Sequence, residues 1–413
     1  MNPSQRLFAA SCLSIMVTAM IFSIRADILQ PVAQQYHLSN ALIGLTMSSV
    51  FWGFTLGIFV SGLIVDLIGM KPLHILSGLG YLVGIGMILL APPASAEVEQ
   101  LRDSMGTTIL YWGFLLTGIA QGIVEGVTNP LVATLFRHDK RRMLNKLHAW
   151  WPGGLVVGGL VAWMLGRMGL GWEVRLASVA VPVVIYLWMI LPLQYPPSER
   201  VSARIPTLHM LAEIRRPMFL LLFALMWLTA ATELAPDQWF AKIMSDLLPT
   251  LGKNAILFLV YTAGLMFLLR QYAAGWLFHR MSPYAVLTGS AVLSFAGLAV
   301  LGVLDPHAQW AGWAAFAGAT LFGVGKTFFW PTMLAVTTEQ FPRGGAFLLN
   351  LVGGAGMLSV MVALPIVGGL MDKHDTQTAL MQFSLLPAVL MIVFGGLWLS
   401  QRQRGGYAPQ SLD

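Results

Sequence analysis

Charge is scarce in this sequence. Asp, Glu, Lys and Arg make up 10% of its 413 residues, where a soluble domain carries about 25%. Most of what remains is apolar: 57% of residues are hydrophobic and the mean hydropathy is +0.72. The composition therefore points to an all-α integral membrane protein. Cysteine is almost missing. The single one, Cys12, excludes an intrachain disulfide. No G-x-x-x-x-G-K-[ST] phosphate loop occurs, so ATP is not the expected energy source. No His/Cys cluster has metal spacing, and no Ser-His-Asp arrangement stands out. No metal, no cofactor and no enzymatic activity are expected. No long extramembrane stretch could house a catalytic or signalling domain, which argues against an enzyme or a receptor. The net charge of +6 sits in short loops between apolar runs. The preference of Lys and Arg for cytoplasmic loops explains it without nucleic acid.

Apolar runs dominate what is present. A spanning helix needs about 20 mostly apolar residues. Twelve runs qualify, at 7–31, 41–69, 72–92, 108–136, 144–167, 172–194, 217–243, 254–280, 283–304, 310–338, 344–371 and 377–399. The longest polar linker lies between the sixth and seventh. It divides the chain into a six-helix bundle over 1–194, a linker over 195–216 and a second bundle over 217–413. With both termini cytoplasmic, 15 Lys/Arg fall on the cytoplasmic side, 6 on the outer side and 3 within spans. That bias selects this orientation. The N-terminus runs directly into the first span with no small-residue cleavage site, so that helix is expected to be retained. A monomer in a plasma membrane, most simply a bacterial inner membrane, is expected.

The informative residues are the polar ones inside the spans. Gln121, Glu125 and Asn129 are four apart and share one face of the fourth helix. An ionisable side chain at bilayer depth costs about 2.5–3.5 kcal/mol by insertion scales. Such a residue faces a cavity or a partner. The plain alternative for Glu125 is a satisfied structural pair or a neutral acid bonded to Asn129. Asp27 lies late in the first helix, where it either titrates or sits solvated or paired at the outer edge. Arg25, two residues away, points to nearly the opposite face, where it either snorkels outward, the favoured expectation, or faces another helix. Asn145, His148 and Trp151 share a face in the fifth helix. Glu233 and Asp237 are four apart in the seventh, where Pro236 is expected to disturb the helix. Arg270 and Lys326 lie inside the eighth and tenth helices. Both need anions, supplied by an acidic substrate or by Glu233 and Asp237. Trp150, Trp151, Phe329 and Trp330 could stack on a sugar ring. Asn350, followed by Gly353 and Gly354, is a further polar contact in the eleventh helix.

The second span ends Gly62-Leu-Ile-Val-Asp66-Leu-Ile-Gly69-Met-Lys71. This matches G-x-x-x-D-x-x-G-x-[KR], and the chain thereby resembles the major facilitator superfamily. The resemblance implies a major facilitator fold of two six-helix bundles, with Gly62, Asp66, Gly69 and Lys71 as gating residues. The second half reads Gly275-Trp-Leu-Phe-His279-Arg280 at the equivalent place and lacks the acid.

Three stretches resemble the fucose permease group of proton-coupled sugar symporters. They are Ala26-Asp27-Ile-Leu-Gln30-Pro31 with Gln34, Glu125-Gly-Val-Thr-Asn129-Pro130, and Leu144-Asn145 with His148, Gly153 and Gly154. The resemblance implies proton coupling and sugar recognition at Asp27 and Glu125. It does not extend to Arg25, His148, Arg270 or Lys326. The expected function is secondary transport, with two bundles rocking about a central site. Protons would be co-transported with a sugar or sugar-like, possibly anionic, molecule, and sodium stays open as the coupling ion. Expected substrate contacts are Gln121, Glu125, Asn129, Asn145, His148, Glu233, Arg270, Lys326, Trp330 and Asn350. A proton-driven exporter of amphipathic compounds is the rival within transport, and a non-transporting receptor the rival outside it.

Overall fold

The computed structural model describes residues 2–93, 104–136, 140–197, 213–341 and 345–410. All regular structure among them is helical, and the chain divides into two compact units, Met1–Ile205 and Pro206–Asp413. The first unit holds α1 (Pro3–Gln35), α2 (Asn40–Ile68), α3 (Met70–Leu90), α4 (Met105–Leu135), α5 (Lys140–His148), α6 (Trp150–Arg167), α7 (Trp172–Ala177) and α8 (Ala180–Ile190). The second holds α9 (Pro217–Leu247), α10 (Ile256–Leu268), α11 (Ala274–Arg280), α12 (Pro283–Gly302), α13 (Ala311–Lys326), α14 (Phe329–Gln340), α15 (Gly345–Lys373), α16 (Thr376–Phe383) and α17 (Leu385–Gln403).

Local chemistry sets the helix starts. Asn2 and Gln5 form a reciprocal capping box ahead of α1, with Pro3 at the first position. Ser39, Ser104, Ser282 and Asp375 each accept a backbone N–H at the starts of α2, α4, α12 and α16. Between α2 and α3 the chain turns on Gly69 at φ 86°, a left-handed conformation that a Cβ would strain.

In the first unit α4 lies between α2 and α3. Glycines bring α2 and α4 together: a Cβ at Gly57, Gly118 or Gly122 would strike the Ile119, Val50 or Phe54 carbonyl. On the opposite side, Thr117 and Ala120 of α4 meet Gly84 and Gly80 of α3. The face of α4 between these two contacts carries Gln121, Glu125 and Asn129. Gly154 and Gly158 of α6 lie against Met16 and Met20 of α1. In the second unit, α9 packs on α15, where the Trp239 indole N–H donates to the Leu364 carbonyl at 3.2 Å. There α12 packs on α13 and α17.

The twelve expected spans are all helical, but five are interrupted. The breaks fall at Ala149, at Ser178–Val179, in a π-helical turn over Leu269–Ala273, at Thr327–Phe328, and at Ser384. The expected tenth span becomes halves of 16 and 12 residues. Eleven helical stretches among the described residues are long and apolar enough to cross a bilayer. Hydropathy counts apolar residues and does not register such a break. Conversely, α9 runs unbroken across Pro236. Proline removes only its own N–H donor there, and the surrounding turns keep theirs.

Candidate functional site

In the first unit the polar stripe forms a chain of hydrogen bonds. The Asn129 Nδ2 donates to Glu125 Oε2 at 3.0 Å. The Asn129 Oδ1 lies 3.0 Å from His148 Nε2. An amide oxygen only accepts, so Nε2 carries the proton in this arrangement. His148 ends α5, and the break at Ala149 lets it face back toward α4. Gln121, one turn before Glu125, is buried, and its Nε2 has no hydrogen-bond partner among the described residues. Close by, the Tyr81 hydroxyl of α3 shares a 2.8 Å hydrogen bond with Thr18 of α1. It lies within coulombic reach of both Glu125 and Arg25.

Asp27 occupies a different level. The Tyr36 hydroxyl donates to the Ala91 carbonyl, and Gly106 abuts Pro92 and Tyr36. The C-terminal ends of α1 and α3 and the N-terminal end of α4 therefore lie together. Asp27 is eight residues from that end, or about 12 Å, and Glu125 is twenty residues from it, or about 30 Å. Asp27 instead meets Arg175 of α7, NH1 to Oδ2 at 2.5 Å. Arg25 does not snorkel outward. It is 1% exposed, with its guanidinium carbon 5.2 Å and 5.0 Å from the centroids of Phe22 and Phe51. Its helix face turns inward to α2, and the two rings supply negative faces that favour a cation there.

The second unit gathers four charges. Lys326 Nζ contacts Asp237 Oδ1 and Oδ2 at 2.5 Å and 2.6 Å, with side chains 0% and 1% exposed. Arg270 NH2 contacts Glu233 Oε1 at 3.3 Å, at 18% and 3% exposure. The second pair also spans the break between α13 and α14. Glu233 Oε2 accepts the Trp330 backbone N–H at 3.1 Å, and Arg270 Nε donates to the Thr327 carbonyl at 2.9 Å. One acid thus caps the N-terminus of α14 and one cation the C-terminus of α13, each at the dipole end that favours it. The Trp330 ring lies against Gly353 and Gly356 of α15. Asn350, half-buried, is one turn before Gly353 on the same face. Phe329 is buried in the core, Trp151 packs edge-on to Phe22, and Trp150 is exposed.

The sequence pattern of the major facilitator superfamily matches residues 7–317. The chain belongs to the major facilitator superfamily. No curated relative matches it in sequence. Solved structures share the fold at low identity. The xylose transporter XylE from E. coli has a TM-score of 0.79 at 12% identity, covering 96% of this chain and 98% of that one. The nucleoside transporter NupG has a TM-score of 0.73 at 16% identity, covering 96% and 99%. FucP, in an outward conformation, has a TM-score of 0.67 at 15% identity, covering 96% and 99%. The protein is a multi-pass membrane transporter and not an enzyme.

In this superfamily member, the signature loop is built around Gly69. Lys71 Nζ donates to the Leu191 carbonyl at 2.7 Å, closing the C-terminal end of α8. Gly62 is half-buried on α2. Asn145 lies on α5 and Asp66 on α2, but their side chains fall outside the described part, as do linker residues 198–212. Sequence reasoning missed three groups. Arg175 reads as an outer-loop cation. Tyr81 is one phenol among nine tyrosines. His74, fully buried, bonds Tyr195 at 2.9 Å and Ser14 at 3.1 Å. No periodicity or spacing signals them, because each meets its partner across helices. Among the described residues no group of three or more His, Cys, Asp or Glu could hold a metal ion.

Proposed function

We propose that this transporter is a proton-coupled symporter of a sugar or sugar-like small molecule, working by alternating access. We place it in a bacterial inner membrane with both termini cytoplasmic. The Gln121–Glu125–Asn129 stripe carries the reading. It combines an acid that can take up a proton with a buried amide donor, Gln121 Nε2, that has no hydrogen-bond partner among the described residues. An unsatisfied buried donor costs about 1–3 kcal/mol, and a substrate hydroxyl would relieve that cost. A concentrated polar stripe suits a polyhydroxylated substrate better than an amphipathic export cargo.

Charge balance favours an uncharged substrate. Arg270 and Lys326 are already matched by Glu233 and Asp237 within their own unit. They present no excess of positive charge to an acidic sugar. The shared fold with structures named for xylose and nucleoside transport is consistent with an uncharged, hydroxyl-rich cargo.

Uptake into proteoliposomes, with a panel of sugars and nucleosides, tests the reading. An inward proton gradient should drive accumulation of at least one neutral member. The Glu125→Gln variant should lose accumulation at least about tenfold, because the stripe then has no group to titrate. Uptake indifferent to the gradient for every compound would remove the symport reading. Normal accumulation by Glu125→Gln would remove Glu125 from it.

A further inference from the structure

We propose that the second unit binds an anionic phospholipid on the face that carries the C-terminus. Arg280 and Arg402 hold its phosphate, and Gln401 accepts a hydrogen bond from a hydroxyl of its headgroup. The site belongs to the second unit, whereas the polar stripe belongs to the first, and it does not depend on the symport reading.

Two cations without anions are the starting point. Arg280 is the last residue of α11, and Arg402 lies in the last turn of α17. A helix C-terminus favours a cation, but it does not use up a guanidinium's five donors. Arg280 lies 4.9 Å from the centroid of the Trp276 ring. Among the described residues neither arginine makes an ion pair or a hydrogen bond. Both line one cavity of about 260 Å³, together with Ser282, Trp398, Gln401 and Tyr407. No acid lines it among the described residues. Helix α12 starts at its edge, and the positive end of that helix adds to the two cations. Guanidinium forks match the oxygens of a phosphate in pairs, so the chemistry of the cavity selects that group.

The wall opposite the helices is held in place. After α17, Gly405 and Gly406 turn the chain back at φ 96° and 110°, which a Cβ would strain. The Tyr407 hydroxyl then donates to Glu339 Oε2 at 2.6 Å, and the Gln340 Nε2 donates to the Ala408 carbonyl at 3.0 Å. The Gln410 backbone N–H donates to the Glu339 carbonyl at 2.9 Å. Arg216 donates to Gln410 Oε1 from NH1 at 3.2 Å and from NH2 at 3.1 Å. These bonds tie the tail to the end of α14 and to the start of α9, and they fix Tyr407 beside the cavity. They also engage Glu339, the acid that the tail reaches.

Gln401 narrows the ligand. Its Oε1 is buried with no hydrogen-bond partner among the described residues, and a buried acceptor is costly unless bonded. An ionised phosphate diester has no proton to give it, but a hydroxyl beyond the phosphate does. The neighbouring surface favours a lipid over a free anion. Trp276, Phe278 and Leu399 are exposed beside the two arginines. The stretches Ile256–Arg280 and Thr376–Gln403 that carry them are long and apolar enough to cross a bilayer. Tryptophan and arginine at the ends of such helices mark the headgroup level, where basic pockets between helices take lipid headgroups.

Native mass spectrometry of the full-length protein in detergent, titrated with single lipids, tests the site. Phosphatidylglycerol should bind about thirtyfold more tightly than phosphatidylcholine, because two basic residues act on it. The double variant Arg280→Gln/Arg402→Gln should lose that preference, and Arg402→Gln alone should lose about fivefold. Both side chains are exposed, and thermal unfolding checks that the variants fold. Arg404→Gln removes a cation outside the cavity and should change nothing. Phosphatidylmethanol, an anionic diester with no headgroup hydroxyl, should bind about fivefold more weakly than phosphatidylglycerol. Gln401→Leu should abolish that difference. Equal binding of phosphatidylglycerol and phosphatidylcholine would overturn the site. So would a preference that survives the double variant, or one that falls as much in Arg404→Gln, which would show diffuse attraction only. Inorganic phosphate that displaces the lipid from the wild type would assign the cavity to a free anion and overturn the lipid. Equal binding of phosphatidylmethanol and phosphatidylglycerol would overturn the role of Gln401.

Discussion

At the scale of single residues, burial forces a choice of partner. Lys326 and Asp237 are almost completely excluded from solvent, so each is tolerated only because the other is there. Removing one leaves a bare charge. The Lys326→Ala variant should therefore lose about 3–5 kcal/mol of stability, read as a fall in thermal unfolding temperature in detergent. Adding Asp237→Ala should recover at least half of that loss, since the double variant buries no unpaired charge. No recovery would mean that Lys326 has another anionic partner. In binding assays the same Lys326→Ala change should weaken acidic and neutral sugars alike. Selective loss of the acidic ligand would return Lys326 to direct substrate contact. Arg25 makes the same point with different chemistry, because its burial is met by two aromatic faces.

At the scale of elements, the interruptions in the helices position the chemistry. The break at Ala149 brings His148 to Asn129. The break between α13 and α14 exposes backbone groups that a continuous helix would satisfy internally. Glu233 and Arg270 satisfy one on each side. Glu233→Ala should orphan the Trp330 N–H and release Arg270, at a cost of about 1–3 kcal/mol for the buried donor alone. Glu233→Gln keeps one acceptor and should lose less, so thermal unfolding should rank wild type above Gln and Gln above Ala. Equal losses would show that charge pairing, not the cap, is what Glu233 contributes. Glycine sets the complementary condition. The close approach of α2 and α4 at Gly57, Gly118 and Gly122 leaves the neighbouring face of α4 for the polar stripe.

At the scale of the whole molecule, three ion pairs among the described residues each lie within one unit: the part-buried Asp27 with Arg175 in the first, and Glu233 with Arg270 and Asp237 with Lys326 in the second. The distribution of Lys and Arg sets the expected orientation in the bilayer. The single native cysteine makes that orientation simple to measure. Cys12 is buried and free, and Cys12→Ser gives a clean background. A membrane-impermeant thiol reagent should label Met105→Cys from outside intact cells and Arg404→Cys only after the membrane is opened. The reverse pattern would invert the topology.

Much of this was legible in the sequence, and the reason is local. Hydrophobic length places the helices long and apolar enough to cross a bilayer. Four-residue spacing puts Gln121, Glu125 and Asn129 on one face whatever the rest of the chain does. The signature around Gly69 likewise depends only on residues a few positions apart. What the sequence could not determine is who meets whom. Asp27 and Arg175 are 148 positions apart, and Lys326 and Asp237 are 89. The low dielectric of the interior demands that such charges be paired, but the demand is the same for every candidate partner. Helix packing decides among them. It separated Asp27 from Glu125 by about 18 Å of helix rise, and it turned Arg25 inward. It also gave the stripe that interrupts the fourth apolar run its neighbour, His148.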